Sequence, residues 1–338
     1  MLELLNTKIF DNERNILNAD LFVNNLKHTF KAFKFNTKIT YEVYRNITIY
    51  HITWNDEKSY EDMLELKKEI ALALGVTTNE FEIEKEKENE VKIKVQNMKK
   101  STLSLKELLE ESKDKDNNNI PLGLSEEDKV IYFNIEKDKN LLVTGVTGIG
   151  KTNLFNNIIL NILMNKDKTK IIILDSQSIN YNAYDKLCEV VNNEQEIINK
   201  IKEIRHIFEE KVKNNDQSRI ILFIDEIYEI IKNDISVKDD INYLLEVGAT
   251  MNIHIIMSTD SVLDEDINYL FDKDDISKLS FYLTTRREYN KFLDNYIDES
   301  LGRDGIYVST NSKLTRISLP LIEDDEITRV VDNLEVNI

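Results

Sequence analysis

Residues 145–152 read GVTGIGKT and match the pattern G-x-x-x-x-G-K-[ST], with Gly145, Gly150, Lys151 and Thr152 at its defining positions. In such a loop the glycines allow backbone N–H groups to turn towards phosphate oxygens, and the helix that follows presents its positive end. The lysine reaches the β- and γ-phosphates, and the threonine hydroxyl binds Mg²⁺. The pattern therefore predicts a site for a nucleoside triphosphate and its magnesium ion.

The residues on either side of this loop support the prediction. The apolar run LLV lies just before it and the stretch NLFNNIILNIL follows it, which predicts a strand before the loop and a helix after it. The chain has eight glycines, and three of them lie in this one turn. We therefore expect ATP and Mg²⁺ as cofactors. The expected nucleotide contacts are Gly145, Val146, Thr147, Gly148, Ile149, Gly150, Lys151, Thr152 and Asn153.

Two adjacent carboxylates follow a second apolar run. In RIILFIDEIYEI, residues 220–224 predict a buried strand whose carboxyl end carries Asp225 and Glu226, and ligands of parallel sheets lie at that end. Asp225 is suited to hold Mg²⁺ together with Thr152, and Glu226 is suited to polarise the attacking water as a general base. By themselves, two acids after a strand are also typical of a surface turn. With the phosphate loop upstream, they predict a hydrolytic site whose catalytic residues are Lys151, Asp225 and Glu226.

A third apolar run, NIHIIMSTD at residues 252–260, ends in polar side chains at the same predicted edge of the sheet. Ser258, Thr259 and Asp260 are candidates for sensing the γ-phosphate. A plain turn after the strand explains any one of them equally well.

The composition limits the other function classes. A net charge of −18 over 338 residues predicts that most of the surface repels nucleic acid, so any DNA contact must be local. One cysteine, Cys188, and four histidines offer no disulfide pair and no metal-ligand spacing, as expected in a reducing compartment. The start of the chain lacks the features of a signal peptide, and no run of about 18 uncharged apolar residues occurs. We expect a cytoplasmic protein without a membrane segment of its own.

The apolar patterns divide the chain into three regions. Residues 1–35 predict a helical segment with an apolar stripe that includes Leu21 and Phe33. Residues 36–115 predict a small α+β domain, because a strand pair, a capped helix and a second hairpin follow one another there. The Asn-rich stretch KDKDNNNIPLG at its end is typical of a linker.

Residues 116–338 show strands that alternate with helices. The strands are continuous apolar runs, which is typical of strands buried on both faces. Their order predicts an α/β domain with a mainly parallel sheet. The six predicted strands are KNLLVTG, KIIILDS, RIILFIDE, IHIIMST, KLSFYLT and GIYVS.

The order of these motifs resembles that of the FtsK/SpoIIIE-type DNA translocase motor ATPases. That family has a phosphate loop G-x-T-G-x-G-K-[ST], a strand that ends in Asp, a strand that ends in Asp-Glu and a strand of the form I-H-L-I-x-A-T-Q. The corresponding segments of this chain are GVTGIGKT, IIILDSQS, IILFIDEI and IHIIMSTD. The resemblance spans about residues 25–336. It implies a RecA-like P-loop ATPase core, with a mainly parallel sheet, preceded by a smaller α+β domain.

Departures from the family pattern define further candidates. Where the family has Thr-Gln-Arg-Pro after its sensing strand, this chain has TDSV, which leaves Thr259 and Asp260 as the sensor candidates. One family arginine falls on Lys278 and a later one falls on Asn290. The resemblance therefore implies that Lys278 or a nearby arginine acts across a subunit boundary. The nearby arginines are Arg286 and Arg287.

As to function, the resemblance implies an ATP-driven translocase of double-stranded DNA. It implies a homo-hexameric ring that hydrolyses ATP at its subunit interfaces and grips the DNA backbone largely without regard to sequence. The membrane helices and the winged-helix domain of the septal family members are absent from this sequence, so we expect a stand-alone motor of the kind associated with mobile elements, served by a recruiting or loading protein. Two alternatives stay open at this point: a protein-export motor of the same family, and a nucleotide-dependent scaffold with weak hydrolysis.

Overall fold

Two compact units make up the chain. The larger unit consists of Met1–Thr7, Leu103–Ser125 and Val130–Ile338, and the smaller unit consists of Lys8–Thr102 and Glu126–Lys129. The computed structural model describes residues 1–6, 13–97, 101–112, 116–165, 168–177, 180–271, 273, 276–294, 304–309 and 314–336. Within those ranges, no helix combines the length and the apolar character needed to cross a bilayer.

The smaller unit is an antiparallel sheet with helices on one face. Its elements are α1 (Glu13–Ala32), β1 (Thr37–Val43), β2 (Ile47–Trp54), α2 (Tyr60–Glu65), α3 (Lys67–Leu74), β3 (Phe81–Lys87) and β4 (Glu90–Gln96). The strands pair in the order β1-β2-β4-β3. Alternate side chains of each strand point to the same face of the sheet, and the apolar set packs against α1 and α3.

Most predictions for this unit are confirmed. Both hairpins are present, Ser59 and Asp62 form a reciprocal capping box at the start of α2, and Gly75 follows α3 in the left-handed conformation at φ 66°. The expected stripe of the first helix is wrong in part, because Leu21 and Phe33 are 56% and 43% exposed. The buried face of α1 consists of Asn15, Ala19, Val23, Leu26 and Phe30.

The larger unit contains the remaining helices and strands. They are α4 (Leu105–Glu111), β5 (Asn119–Ser125), β6 (Val130–Asn134), α5 (Ile135–Asp138), β7 (Asn140–Thr144), α6 (Lys151–Met164), β8 (Lys170–Asp175), β9 (Glu189–Val191), α7 (Glu194–Asn214), β10 (Ile220–Asp225), α8 (Ile227–Asn233), α9 (Val237–Val247), β11 (Ile253–Thr259), β12 (Ile276–Ser280), α10 (Arg286–Leu293), β13 (Asp304–Val308), β14 (Thr315–Ser318) and α11 (Asp324–Val336). Short 3₁₀ turns cover Leu2–Leu4, Asn182–Tyr184, Gly248–Met251 and Asn268–Leu270.

One large sheet forms the centre of this unit. Over the described residues its strand order is β6-β5-β14-β13-β12-β7-β11-β10-β8-β9. Neighbours from β12 to β9 are parallel, and those from β6 to β12 are antiparallel. Helices α6 and α11 cover one face, and α7 to α10 cover the other. The predicted α/β fold and its six strands are confirmed, and β11 lies between β7 and β10, so the carboxyl ends of these three strands meet.

The unit boundaries differ from the expected ones. Helix α1 belongs with the small sheet rather than forming a separate segment, and residues from Leu103 onward already belong to the larger unit. The expected linker is wrong in part, because NIPLG lies in β5, which pairs with β6. Proline inside a run argues against a strand, and the register shift between Pro121 and Gly123 accommodates it here.

Candidate active site

The phosphate loop connects β7 to α6, and its shape depends on glycine. Gly145, Gly148 and Gly150 have φ values of 154°, 78° and 126°, which residues with a Cβ rarely adopt. At Gly145, a Cβ would also lie 2.6 Å from Phe281 Cβ and 2.9 Å from Ile149 Cγ2. The loop thus closes tightly against Phe281 just before the first turn of α6, whose free N–H groups attract anions.

Lys151 is the first residue of α6 and is only 5% exposed. Its Nζ donates a hydrogen bond to the Gly145 carbonyl at 2.7 Å and lies 3.0 Å from Glu226 Oε1. The second carboxylate oxygen, Glu226 Oε2, accepts a hydrogen bond from Asp260 N at 3.0 Å. The structure therefore brings together three residues predicted from separate motifs, which come from the phosphate loop, the end of β10 and the end of β11.

The Ser258 hydroxyl forms hydrogen bonds with both Asp225 and Glu226. Its Oγ donates to Asp225 Oδ1 at 2.6 Å and accepts from the backbone N–H of Glu226 at 3.0 Å. Glu226 adopts a left-handed conformation, φ 55° and ψ 62°, which is costly for a residue other than glycine. The hydrogen bond to Ser258 helps to hold that conformation, and β11 thereby positions side chains that β10 supplies.

Burial raises the pKa of both acids. For Asp225, desolvation is the largest cause, and the hydrogen bonds from Ser258 and Tyr181 oppose it. For Glu226, desolvation again outweighs the attraction of the Lys151 ammonium, and the nearby Asp260 and Asp225 raise the pKa further. A carboxylate whose pKa is raised towards neutrality accepts a proton more readily, which suits a general base.

The oxygen donors at this site suit Mg²⁺. Thr152 offers a hydroxyl and Asp225 a carboxylate, which are hard ligands of the kind this ion prefers. Thr152 lies in the first turn of α6, directly after the phosphate loop, and Asp225 Oδ2 accepts a hydrogen bond from the Tyr181 hydroxyl at 3.1 Å. Thr152 and Asp225 would hold the ion, which would neutralise negative charge that develops on the phosphates.

Mg²⁺ needs few protein ligands, because it usually retains several waters and takes phosphate oxygens from the nucleotide. In keeping with this, the described part of the chain contains no group of three or more His, Cys, Asp or Glu residues arranged to hold a metal ion.

The two sensor candidates lie beside the phosphate loop. The Thr147 hydroxyl donates to Asp260 Oδ2 at 2.9 Å, and the Thr144 hydroxyl donates to the Thr259 carbonyl at 2.9 Å. The Thr259 hydroxyl accepts a hydrogen bond from Ser261 N at 3.1 Å. Asp260 therefore has a side-chain contact to the phosphate loop, whereas Thr259 contacts the last residue of β7 through its backbone carbonyl.

The three candidates for a role across a subunit boundary lie in or after β12. Lys278 is half-buried in that strand, with its Nζ 5.9 Å from the centre of the Phe292 ring. Arg286 and Arg287 are exposed in the first turn of α10. A capping box between Thr285 and Glu288 fixes the start of that helix.

Asn153 has a different environment from the expected one. Its Nδ2 donates to the Pro320 carbonyl at 2.7 Å, and its Oδ1 accepts from Ile322 N at 3.1 Å. Asn157, one turn later, donates to the same Pro320 carbonyl at 2.9 Å. The Asn153 side chain thus ties α6 to the segment before α11, and its backbone N–H is the group left to approach a nucleotide.

The profile of the FtsK/SpoIIIE family matches residues 104–297, more than half of the chain. The chain belongs to the FtsK/SpoIIIE family. The match contains the phosphate loop, both acids and β11. Among curated FtsK/SpoIIIE relatives, DNA translocase FtsK of Bacillus cereus is 24% identical over 362 residues and DNA translocase SpoIIIE of Bacillus subtilis is 23% identical over 359. These alignments cover 93% and 91% of this chain but 45% and 44% of the relatives, so the chain spans less than half their length.

Solved structures give the same fold for this FtsK/SpoIIIE family member. The pCW3 conjugation coupling protein TcpA, solved as a monomer with ATPγS, matches with a TM-score of 0.62 at 13% identity, over 92% of this chain and 99% of TcpA. The cytoplasmic domain of the type VII secretion ATPase EccC of Thermomonospora curvata matches with a TM-score of 0.57 at 14% identity, over 69% of this chain and 34% of EccC. At these identities the likeness shows the fold alone, and it confirms the expected P-loop ATPase core.

Proposed function

We propose that this chain is an ATP-driven translocase of double-stranded DNA. The proposal rests on one observation: Lys151, Asp225 and Glu226 lie close together at one edge of the parallel sheet, beside a phosphate loop. Family relatives that match over 91–95% of this chain are DNA translocases. Their alignment extends across both units, which supports a shared task as well as a shared ATPase core.

In the proposed reaction, each residue of the cluster has a defined task. The loop at 145–150 binds the phosphates, Lys151 contacts the β- and γ-phosphates, and Thr152 with Asp225 holds Mg²⁺. Glu226 accepts a proton from the attacking water. Lys151 pairs with Glu226 at 3.0 Å, so a γ-phosphate that attracts the ammonium would also release the carboxylate to accept a proton from the water. ATP binding would in this way prepare its own hydrolysis.

The proposed assembly is a homo-hexameric ring with ATP between neighbouring subunits and DNA in the channel. Arg286 and Arg287 are exposed and suit contacts to a neighbour's nucleotide, because guanidinium groups bind phosphate through a planar fork. The net charge of −18 would lie mainly on the outer surface, while local basic groups grip the DNA backbone. Such a motor would work in the cytoplasm with a recruiting or loading protein.

Steady-state ATP hydrolysis by the purified protein, with and without double-stranded DNA at low and moderate salt, tests the proposal. We expect DNA to stimulate hydrolysis several-fold at low salt and less at moderate salt, because phosphate contacts weaken as salt rises. The matched control is Glu226→Gln, which should bind ATPγS in calorimetry and lose the DNA-stimulated rate.

Each departure from this result has a distinct meaning. Hydrolysis that DNA leaves unchanged would contradict the DNA motor and favour a protein cargo, the alternative task within this family. Nucleotide binding without hydrolysis would favour the scaffold. Normal turnover in Glu226→Gln would remove Glu226 as the general base.

A further inference from the structure

Tyr181 is a buried tyrosine that no sequence motif predicts and that contacts a proposed magnesium ligand. It lies six residues beyond the end of β8, and no part of its side chain reaches solvent. Its hydroxyl donates to Asp225 Oδ2 at 3.1 Å. A buried tyrosine hydroxyl needs a hydrogen-bond partner, and here the partner is the carboxylate assigned to the metal.

The loop after β8 is shaped to bring Tyr181 to this place. Asp175, the last residue of β8, accepts hydrogen bonds from Gln177 N at 3.1 Å and from Asn180 N at 2.9 Å, one on each carboxylate oxygen. These bonds fix the backbones of Gln177 and Asn180 beside the end of β8, and Tyr181 follows Asn180 directly. The carboxylate of Asp175 therefore acts on the position of Tyr181 through Asn180.

Both oxygens of the Asp225 carboxylate accept hydrogen bonds from hydroxyl groups. Ser258 donates to Oδ1 at 2.6 Å and Tyr181 donates to Oδ2 at 3.1 Å. These two hydrogen bonds fix the orientation in which the carboxylate would face a metal ion.

The Tyr181 oxygen therefore lies directly beside the carboxylate at the end of β10 that is assigned to Mg²⁺. A group in this position fixes the orientation of ligands without binding the ion itself, and loss of such a partner typically lowers metal affinity about 10–100-fold.

We propose that Tyr181 is a positioning residue that orients Asp225 for the magnesium ion of the bound nucleotide. This inference rests on the proposed function, because it takes Thr152 and Asp225 as the metal ligands. It assigns to the loop after β8 a part in nucleotide binding that the phosphate loop and the Asp-Glu pair do not supply.

Tyr184 provides a matched control within the same segment. It is also fully buried, and its hydroxyl donates to Asn156 Oδ1 at 3.1 Å rather than to Asp225. Tyr181→Phe and Tyr184→Phe each remove one oxygen from a buried ring and retain the packing of that ring. A role in packing alone predicts similar effects for the two substitutions.

The test is calorimetric titration of ADP and ATPγS into the wild type and both variants, in EDTA and over a range of Mg²⁺ concentrations. For Tyr181→Phe we expect unchanged affinity in EDTA and a Mg²⁺ requirement raised about 10–100-fold. The Mg²⁺ concentration for half-maximal ATP hydrolysis should rise by the same factor. Tyr184→Phe should match the wild type in every measurement.

Three outcomes would overturn the inference. One is a wild-type Mg²⁺ requirement in Tyr181→Phe, and the second is an equal shift in Tyr184→Phe, which would point to packing. The third is loss of nucleotide binding by Tyr181→Phe in EDTA, which would make its role structural. A wild type whose nucleotide affinity does not respond to Mg²⁺ would instead contradict the metal assignment in the proposed function, and the inference with it.

Discussion

Glu226 combines three features at the scale of a single residue. Its carboxylate is buried, it pairs with Lys151 at 3.0 Å, and its backbone is in the left-handed region. Each of these is costly in isolation, since buried charges lose hydration and left-handed residues are strained. Such costs are common where a side chain must be held ready for chemistry, because the reaction sets the geometry and packing maintains it.

The raised pKa of Glu226 leads to a prediction about pH. Between its ordinary pKa and its raised value, the folded protein binds a proton that the unfolded chain does not, so this group stabilises the fold less as pH rises through that window. The wild type should therefore gain stability relative to Glu226→Gln as pH falls from neutral towards the ordinary range of a glutamate, near pH 4.5. Thermal unfolding of both proteins across this range measures their relative stability. A wild type that loses stability relative to Glu226→Gln as pH falls would show that the Lys151 ion pair dominates instead.

Ser258 provides a second prediction at the residue scale. Ser258→Ala would leave Asp225 Oδ1 and the Glu226 N–H buried without this partner, at a cost of about 1–3 kcal/mol in the free energy of unfolding. Hydrolysis should also fall, since both acids lose a constraint. The control is Ser280→Ala, where an equally buried hydroxyl donates only to the Phe281 carbonyl.

Denaturant unfolding and ATPase assays of both serine variants decide the point. We expect Ser280→Ala to have the smaller loss of stability and a rate near that of the wild type. Equal effects in the two variants would contradict a special role for Ser258.

At the scale of elements, adjacency in the sheet explains how the site is assembled. Strand β11 pairs with β7 on one side and with β10 on the other. The ends of these strands therefore place Ser258 and Asp260 between the phosphate loop and the acidic pair. The contacts that assemble the site therefore run between neighbouring strands along the edge of the sheet.

The start of α10 leads to the prediction at this scale. Its capping box holds Arg286 and Arg287 on an exposed turn, where they suit a contact to the nucleotide of a neighbouring subunit. If one of them acts in that way, its alanine variant should be inactive alone and should regain activity when mixed with Glu226→Gln, because a mixed ring contains complete interfaces. Lys278→Ala, which changes a half-buried strand residue, is the comparison.

Hydrolysis rates of the mixtures at several ratios test this prediction. Recovery with Lys278→Ala but with neither arginine variant would assign the trans-acting role to the lysine. An arginine variant that is fully active alone would remove that arginine from consideration.

At the scale of the whole molecule, charge is the dominant property. With a net charge of −18, the protein should bind DNA only where basic groups are concentrated locally, and each neutralised phosphate steepens the salt dependence. We predict that the logarithm of the affinity for duplex DNA in the presence of ATPγS falls linearly with the logarithm of salt concentration, with the same slope for unrelated sequences.

Fluorescence anisotropy with two duplexes of different sequence measures that slope, and mass photometry of the same samples measures assembly. We expect hexamers on DNA. A flat salt dependence would contradict binding through phosphates, and a strong difference between the duplexes would contradict a grip on the backbone alone.

Much of the fold and of the candidate site could be predicted from the sequence by itself, because the signals lie in neighbouring residues. GVTGIGKT predicts a nucleotide site from consecutive residues, and buried strands appear as unbroken apolar runs whose order predicts the parallel sheet. Short-range signals also predicted the cap at Ser59 and the stop at Gly75. The Asn-rich stretch before Gly123 misled, because only its pairing with the neighbouring strand shows that residues from Asn119 onward lie in β5.

The tertiary structure alone decided which groups meet. Tyr181 and Ser258 reach Asp225 from 44 and 33 positions away along the chain, and no pattern in consecutive residues records such distances. The Asn153 side chain likewise connects α6 to the segment before α11, through contacts to Pro320 and Ile322. Motif residues can be identified from sequence because their chemistry requires fixed spacing, whereas the residues that position them depend on strand order and packing, which only the folded chain provides.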